Sequence, residues 1–161
     1  MWREEWLGWP LSANVGEDQP SFARPATLQD LKTIVQSLDR HGVPYLLLGG
    51  YALAAHGYKR ATEDIDLMFQ ASPEIGARVR EALLVLPDKA SRHIDPAWFA
   101  EGDNIRVGDE IVVDIMLNAN GLVFDELVRY AQVLDVEGTP IRTVSLEGLL
   151  LTKRNMRAKD A

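Results

Sequence analysis

The chain has 161 residues, of which 47% are hydrophobic and 25% are charged, and its formal net charge is −7. This length and composition are typical of a single globular domain that can bury a core without covalent cross-links. The absence of cysteine excludes disulfides, thiolate zinc sites and a cysteine nucleophile. The net negative charge disfavours a protein that coats long nucleic-acid duplexes, but it does not exclude a local basic cleft.

Residues 1–24 are predicted to form an N-terminal arm ahead of a domain over residues 25–161. Trp2, Trp6 and Trp9 recur in the arm at helical spacing. We expect them to cover a hydrophobic edge of their own domain, and a contact with a second protein is the alternative, since exposed aromatic patches mark interfaces. The acidic N-terminus and the absence of a membrane-length apolar run indicate no signal peptide and no membrane segment. We therefore expect a cytoplasmic protein.

The first half of the domain alternates predicted helices and strands. Thr27 and Asp30 resemble a capping motif, and apolar residues follow at the i, i+3, i+4 and i+7 positions of an amphipathic helix. A continuous apolar run then predicts a strand, and a short helix and a second strand follow it. The predicted helices cover residues 31–38 and 51–56, and the predicted strands cover 44–48 and 64–69.

The second half of the domain mixes helices with hairpins. Ser72 and Pro73 mark the start of a helix that runs to about residue 86. Residues 105–107 and 111–117 predict one hairpin, and 132–136 and 140–144 predict another. A last helix follows Ser145, with Leu146, Leu149 and Leu150 facing inward. This mixture predicts an α/β (α+β) fold with a mixed sheet flanked by helices.

Three aspartates form the candidate chemical centre. Asp64 and Asp66 lie one residue apart in a predicted strand, so their side chains point to the same face. Asp114 is the single charged residue in the apolar run 111–117. If the two strands are neighbours the carboxylates meet and their repulsion favours a bound cation, whereas on edge strands they would be separate surface groups. Mg²⁺ is the expected cation, because it prefers oxygen ligands.

Gly49 and Gly50 form the candidate phosphate-binding loop. They follow the predicted strand 44–48 and precede a predicted helix, where free backbone N–H groups can bind an anion. Alone, a glycine pair is more often a plain turn. Only thirteen residues separate Gly50 from Asp64. Because the aspartates follow so soon in the sequence, the glycine pair predicts a phosphate site.

These segments together resemble a known superfamily. Leu48-Gly49-Gly50, the stretch 60–67 and Val113-Asp114-Ile115 occur in the order found in polymerase-β-like nucleotidyltransferases. More narrowly, the stretch 49–57 followed by Arg60-Ala61-Thr62 is similar to small bacterial nucleotidyltransferase-like proteins related to abortive-infection toxins. The resemblance extends over about residues 28–160. It implies transfer of a nucleoside monophosphate from an NTP to a hydroxyl, with pyrophosphate as the leaving group.

The resemblance also implies roles for the candidate residues. Asp64, Asp66 and Asp114 would be catalytic and would hold Mg²⁺, with two ions expected and Mn²⁺ as an alternative metal. Gly49 and Gly50 would bind phosphate oxygens through their backbone amides. At the position of Gly50 many such transferases carry serine, so one hydroxyl–phosphate contact is expected to be missing.

Arg60 and Lys153 are further candidates for nucleotide binding. Arg60 is expected to contact phosphate or to brace the loop before Asp64, and a solvated surface arginine is the alternative. Lys153, on the last predicted helix, either reaches the triphosphate or extends along the helix into solvent.

The sequence leaves three hypotheses open about the acceptor and the partners. The first is an enzyme acting on an RNA, such as a tRNA end, or on a protein hydroxyl, within a toxin–antitoxin or phage-defence pair. The second is a catalytically inactive binding module whose tryptophan arm clamps a partner protein. The third is a resistance enzyme that adenylylates a drug hydroxyl, for which the sequence offers no acidic drug-binding domain.

Overall fold

The computed structural model describes residues 2–7, 23–58 and 63–160, and for 2–7 and 154–160 it describes the backbone only. Within these ranges the chain forms a seven-stranded mixed sheet flanked by helices, which confirms the predicted fold class. The strands are β1 (Trp2–Leu7), β2 (Leu46–Leu48), β3 (Asp64–Met68), β4 (Asn104–Gly108), β5 (Val112–Met116), β6 (Ala131–Val136) and β7 (Thr139–Val144). The helices are α1 (Leu28–Arg40), α2 (Gly49–Ala55), α3 (Pro73–Ala82), α4 (Trp98–Glu101), α5 (Phe124–Leu127) and α6 (Leu146–Asp160). None of the helices in these ranges combines the length and the apolar character that a membrane crossing requires.

The strand order across the sheet is β1-β4-β5-β3-β2-β7-β6. The pairs β1–β4, β5–β3 and β2–β7 are parallel, and β4–β5, β3–β2 and β7–β6 are antiparallel. Strands β3 and β5, which carry the three aspartates, are therefore interior strands with partners on both sides. Hydrogen-bonded ladders on both edges hold the backbone of each strand, and the backbone in turn holds the direction of its side chains.

Helix α1 begins at the predicted capping motif. The Thr27 hydroxyl accepts from the backbone N–H of Asp30 at 3.2 Å, and the Asp30 carboxylate accepts from the backbone N–H of Thr27 at 2.7 Å. Along the helix Leu31, Ile34 and Leu38 are fully buried, as the apolar spacing predicts. Helix α1 packs against α3 and contacts β7, so it lies between α3 and this strand of the sheet.

The β4–β5 hairpin is closed by a buried carboxylate. Asp109 is 3% exposed and accepts hydrogen bonds from the backbone N–H groups of Asp88, Ala90 and Glu110 at 2.9, 2.9 and 2.7 Å. These donors compensate for the removal of the charge from water. Asp109 therefore ties the loop after α3 to the hairpin, and its role is structural.

The described residues of the N-terminal arm form a strand, although Trp2 and Trp6 recur at helical spacing. Residues 2–7 form β1, which pairs in parallel with β4 at the edge of the sheet. Pairing with an available strand edge satisfies backbone N–H and C=O groups, and this gain overrides the spacing of Trp2 and Trp6. Trp9 lies outside the described residues, and the division into arm and domain stays a prediction.

The prediction for the last helix is wrong for two of its three leucines. Leu149 packs against the core, but Leu146 and Leu150 are exposed, Leu150 to 56%, and Leu151 packs inward instead. Gly148 sets this rotation, because a Cβ there would lie 2.5 Å from Cγ2 of Val144. The Gly148 face of α6 therefore meets the sheet, and a residue two positions later points about 200° away from it.

Candidate active site

The structure brings the three aspartates together. In the parallel pair β3–β5, Asp66 lies directly opposite Asp114, and Asp64 lies opposite Val112. Directly opposed residues share a face of the sheet, and so do residues two apart on one strand. All three carboxylates therefore project from the same face. The alternating residues Ile65 and Leu67 are fully buried on the other face, so the hydrophobic core holds the register in place.

Burial and mutual repulsion shape the charge of this group. Asp114 is 2% exposed, and Asp66 in its protonated form donates a hydrogen bond to it. Burial, and after it the neighbouring charge of Asp114, raise the pKa of Asp66 to about 8. Burial, followed by repulsion from Asp114, also raises the pKa of Asp64. The group therefore holds a proton at neutral pH that a bound cation would displace.

Arg106 is the residue that sequence reasoning missed. It lies on β4 directly opposite Asp114, so its side chain shares the face of the aspartates. Its Nε donates to Oδ1 of Asp114 at 2.8 Å, and its Nη2 donates to Oδ2 of Asp114 at 3.4 Å. The same Nη2 lies 3.9 Å from Oδ2 of Asp64. Its only signal in the sequence was a single charge within a short apolar strand, and the register of β4 could not be read in advance.

Gly49 makes close contact with the aspartates. Its φ of 69° lies in the left-handed region, and a Cβ there would lie 2.0 Å from Oδ2 of Asp66. Both the backbone conformation and the approach of the carboxylate therefore require glycine. The adjacent Gly50 lies in the first turn of α2 and lines the same cleft. The glycine pair and the aspartates thus belong to one site, as the sequence predicted from their spacing.

A cleft of about 420 Å³ opens beside Asp66. Gly49, Gly50 and Lys153 line it together with Asp66. Its walls also carry apolar and amide side chains, namely Leu48, Leu53, Met116, Ala119, Leu149, Asn104, Asn118 and Asn120. This volume and this mixture of apolar walls with a few polar groups are typical of small-molecule sites.

Asp64 and Arg106 line a second cleft of about 450 Å³, together with Arg24, Glu63 and Val112. Asp64 precedes Asp66 by two positions along β3, so the two clefts contact successive aspartates of one strand face. In the second cleft Arg24 is ion-paired with Asp30 at 2.7 Å. The aspartates therefore lie between two separate spaces, each of which has its own charged groups.

The remaining predicted residues have different outcomes. Arg60 lies outside the described residues, so its role stays a prediction. Lys153 is exposed at the rim of the first cleft. His56 is predicted from the sequence to pack behind the glycine loop rather than to act in catalysis. Its Nε2 lies 2.8 Å from the backbone carbonyl oxygen of Val144, as a packed, hydrogen-bonded histidine requires, and its absence from catalysis stays a prediction.

The donor chemistry of the aspartate group fits a divalent cation of the Mg²⁺ type. The available ligands are carboxylate oxygens, and burial, followed by the neighbouring charge of Asp114, raises the pKa of Asp66. Within the part of the chain that the structure describes, no cluster of three or more carboxylate or histidine side chains has preformed metal-site geometry. Metal binding would therefore include rearrangement of side chains around Asp114, which at present accepts hydrogen bonds from Arg106.

Comparison with known proteins places this site in a family. The sequence matches the family described as "Nucleotidyl transferase of unknown function (DUF2204)" over residues 27–161. No curated protein gives a significant match. A crystal structure of a candidate nucleotidyltransferase from Thermotoga maritima resembles this fold with a TM-score of 0.58 and 18% identity, over 83% of this chain and 86% of that one. At that identity the likeness shows the fold, whereas the family match shows that the chain belongs to the nucleotidyl transferase family of unknown function.

Proposed function

We propose that this protein transfers a nucleoside monophosphate from an NTP to a hydroxyl group of an RNA or a protein, with Mg²⁺ as cofactor. The observation that carries the proposal is the meeting of Asp64, Asp66 and Asp114 on one sheet face, against Gly49 and beside a cleft. Transfer of this kind depends on positioning and charge neutralisation more than on a covalent intermediate. The carboxylates, the glycine loop and Lys153 would supply both the positioning and the charge neutralisation.

The aspartates would hold the metal. When bound, the ion neutralises charge that develops on the phosphate oxygens during the transfer. Asp66 would have to lose its proton first, because its pKa is raised to about 8. Asp114 is fixed at the centre of the group by its position in the interior strand β5. The family resemblance supports two ions, with Mn²⁺ as an alternative to Mg²⁺.

The first cleft would bind the NTP. The backbone amides of Gly49 and Gly50 would donate to phosphate oxygens, and no Cβ stands between this backbone and the Asp66 carboxylate. Lys153 at the rim would add a positive charge for the triphosphate. Leu53 and Leu149, in the walls of the same cleft, would contact the nucleoside.

The second cleft would admit the acceptor. An acceptor hydroxyl that entered beside Asp64 would meet the α-phosphorus of the NTP at the aspartates, on the side opposite to the leaving pyrophosphate. A new bond between the hydroxyl oxygen and the α-phosphorus would replace the bond to the β-phosphate. Asp114 would help to take the hydroxyl proton, in the role that the family resemblance gives it.

One observation favours the second hypothesis, a binding module without catalysis. Arg106 already supplies a positive charge to Asp114 and Asp64, as a fold without metal would require. In that case the partner would be a protein, such as the other member of a toxin–antitoxin pair. Direct measurement of metal binding separates the two hypotheses.

The test of the enzymatic proposal uses the full chain with NTPs labelled at the α-phosphate, Mg²⁺, and either total RNA or cell protein. We expect label to enter one acceptor class with the wild type and to be lost in Asp66→Asn. Asp39→Asn, an exposed aspartate on α1, serves as the matched control and should retain transfer. Equal labelling by wild type and Asp66→Asn, or no labelling of either acceptor class, would reject the proposal.

A further inference from the structure

Strand β6 lies at one end of the sheet, and among the described strands it pairs with β7 on one side only. The β6–β7 register runs without a bulge from Ala131 opposite Val144 to Val136 opposite Thr139. The other side of β6 is therefore a regular strand edge. Such an edge presents a row of N–H and C=O groups to which a further strand can add.

The hydrogen bonds of this hairpin show which residues of β6 bond to β7. The backbone N–H of Ser145 donates to the backbone carbonyl of Tyr130 at 2.7 Å, and these two residues continue the register of the hairpin. Opposite residues of an antiparallel pair alternate between hydrogen-bonded and non-hydrogen-bonded pairs. The even-numbered residues of β6 therefore exchange hydrogen bonds with β7.

The odd-numbered residues of β6 face the open edge. Arg142 of β7 lies opposite Val133, and its backbone N–H is directed away from β6, since it donates to the hydroxyl oxygen of Tyr45 at 3.2 Å. The pair of Val133 and Arg142 is thus a non-hydrogen-bonded pair. It follows that the outward N–H and C=O groups of β6 belong to Ala131, Val133 and Asp135.

The two outer strands of the sheet differ in how their edges are protected. Natural proteins guard an edge strand with charged residues, proline or a bulge. Strand β1 has charged residues at positions 3–5, and its register with β4 shifts between Trp2 and Trp6. Strand β6 has no proline and no bulge, and its single charged residue is Asp135 near its end. The edge of β6 therefore has fewer features that prevent strand addition.

The edge of β6 is also complementary to itself. A two-fold axis through Val133, perpendicular to the sheet, would place Val133 opposite its counterpart in a second copy and Ala131 opposite Asp135. These opposed pairs would exchange about six hydrogen bonds, because each pair exchanges two. A shifted register that keeps outward groups face to face forms fewer such pairs. In the centred register Asp135 meets an alanine instead of a second carboxylate.

The side chain at the centre of this register is exposed. Val133 is 64% exposed, the highest value among the large apolar side chains that the structure describes. A second strand in the centred register would bring two valines together, and β-branched residues that oppose each other across strands stabilise a sheet. Both the backbone and the central side chain therefore suit a second β6.

We propose that two copies of this chain associate by antiparallel pairing of their β6 strands, centred on Val133, so that the two sheets become continuous. The interface is formed mainly by one six-residue strand from each copy, so the dimer should be weak. The net charge of −7 on each copy opposes association, and salt should strengthen it. The described lining of the two clefts includes no residue of β6, so the inference does not depend on the proposed reaction.

The test measures the mass of the full chain by sedimentation equilibrium over the micromolar range, at low and at moderate salt. We expect the wild type to shift from monomer to dimer as concentration and salt rise. Val133→Pro removes the central outward N–H at an edge position, where proline is tolerated, and should raise the dissociation constant at least about tenfold. Val133→Lys sets two ammonium groups directly opposite each other and should have the same effect, so it replaces Val133→Pro if proline disturbs the fold.

The matched control is Val85→Lys. Val85 is 40% exposed and lies in a short 3₁₀ turn after α3, outside the sheet, and its substitution changes the charge by the same amount. We expect Val85→Lys to retain the dimer. A wild type that is monomeric at all these concentrations overturns the proposal, and so does a dimer that neither substitution of Val133 weakens.

A distance measurement tests the register, because the chain has no native cysteine. A nitroxide on Glu137→Cys, at the exposed turn of the hairpin, lies four positions from the centre in each copy. The two labels should therefore be about 27 Å apart along the strand direction, within the range of double electron–electron resonance. A dimer whose labels give no distance near this value is formed by another surface and overturns the proposal.

Discussion

A Cβ atom at Gly49 would lie 2.0 Å from Oδ2 of Asp66, so the glycine loop and the aspartate strand are in direct contact. This contact gives a matched pair of substitutions. Gly49→Ala places a methyl group against the carboxylate in a left-handed backbone, whereas Gly57→Ala meets a φ of 95° with nothing within 4 Å. Both variants should lose about 1 kcal/mol of unfolding free energy to backbone strain. Only Gly49→Ala should lose Mn²⁺ binding and label transfer. Retained Mn²⁺ binding in Gly49→Ala would show that Asp66 is not a ligand.

The burial of Asp66, together with the neighbouring charge of Asp114, predicts a pH effect on stability. The folded-state pKa of Asp66 is raised from 3.8 to about 8, so the folded chain holds this proton more tightly than the unfolded chain. In EDTA the unfolding free energy should therefore fall as pH rises from about 4 through about 8. Urea unfolding across this range measures the effect. In Asp66→Asn this contribution should disappear, and a slope as steep as that of wild type would contradict it.

The same proton predicts a pH dependence of metal binding. Since a metal-bound carboxylate must be ionised, Mg²⁺ or Mn²⁺ has to displace the Asp66 proton below about pH 8. Mn²⁺ affinity should rise with pH up to that value and then level off, with proton release measurable by calorimetry in buffers of different ionisation enthalpy. Affinity that is independent of pH below about 8 would contradict a role for Asp66 as ligand.

Lys153 offers a test of the nucleotide cleft. Lys153→Gln should weaken NTP binding about tenfold while Mn²⁺ affinity without nucleotide stays the same, because the ammonium group contributes one charge to phosphate binding. Lys89→Gln is the control, since Lys89 donates to the backbone carbonyl of Leu84 at 3.1 Å outside the cleft. Equal NTP binding by Lys153→Gln and wild type would leave Lys153 as a solvent-exposed lysine of α6.

We expect Asp109 to contribute to the stability of the fold but not to metal binding. Asp109→Ala leaves the backbone N–H groups of Asp88, Ala90 and Glu110 without their acceptor, so the unfolding free energy should fall by about 2–4 kcal/mol. Mn²⁺ binding by the folded protein should persist. Denaturant unfolding and Mn²⁺ titration at low temperature measure the two quantities. Loss of metal binding in a variant that is still folded would make Asp109 part of the site.

Much of the fold could be predicted because local chemistry and tertiary structure agree over most of the domain. The Thr27–Asp30 cap, the Ser72 cap and both hairpins occur where the sequence places them. The helical spacing of Trp2 and Trp6 gave no sign of their strand, which forms by pairing with β4. The prediction failed for Leu146 and Leu150, because the close approach of Gly148 to β7 sets the rotation of α6.

By itself the sequence determined part of the candidate site, since Asp64 and Asp66 must share a strand face and Gly49 precedes them at a spacing typical of the superfamily. Only the tertiary structure decided that β5 lies beside β3 in a register that sets Asp114 opposite Asp66. It alone placed Arg106 of β4 against that carboxylate. The physical reason is that alternation along a strand is a local property, whereas strand order and register come from burial of the whole sheet.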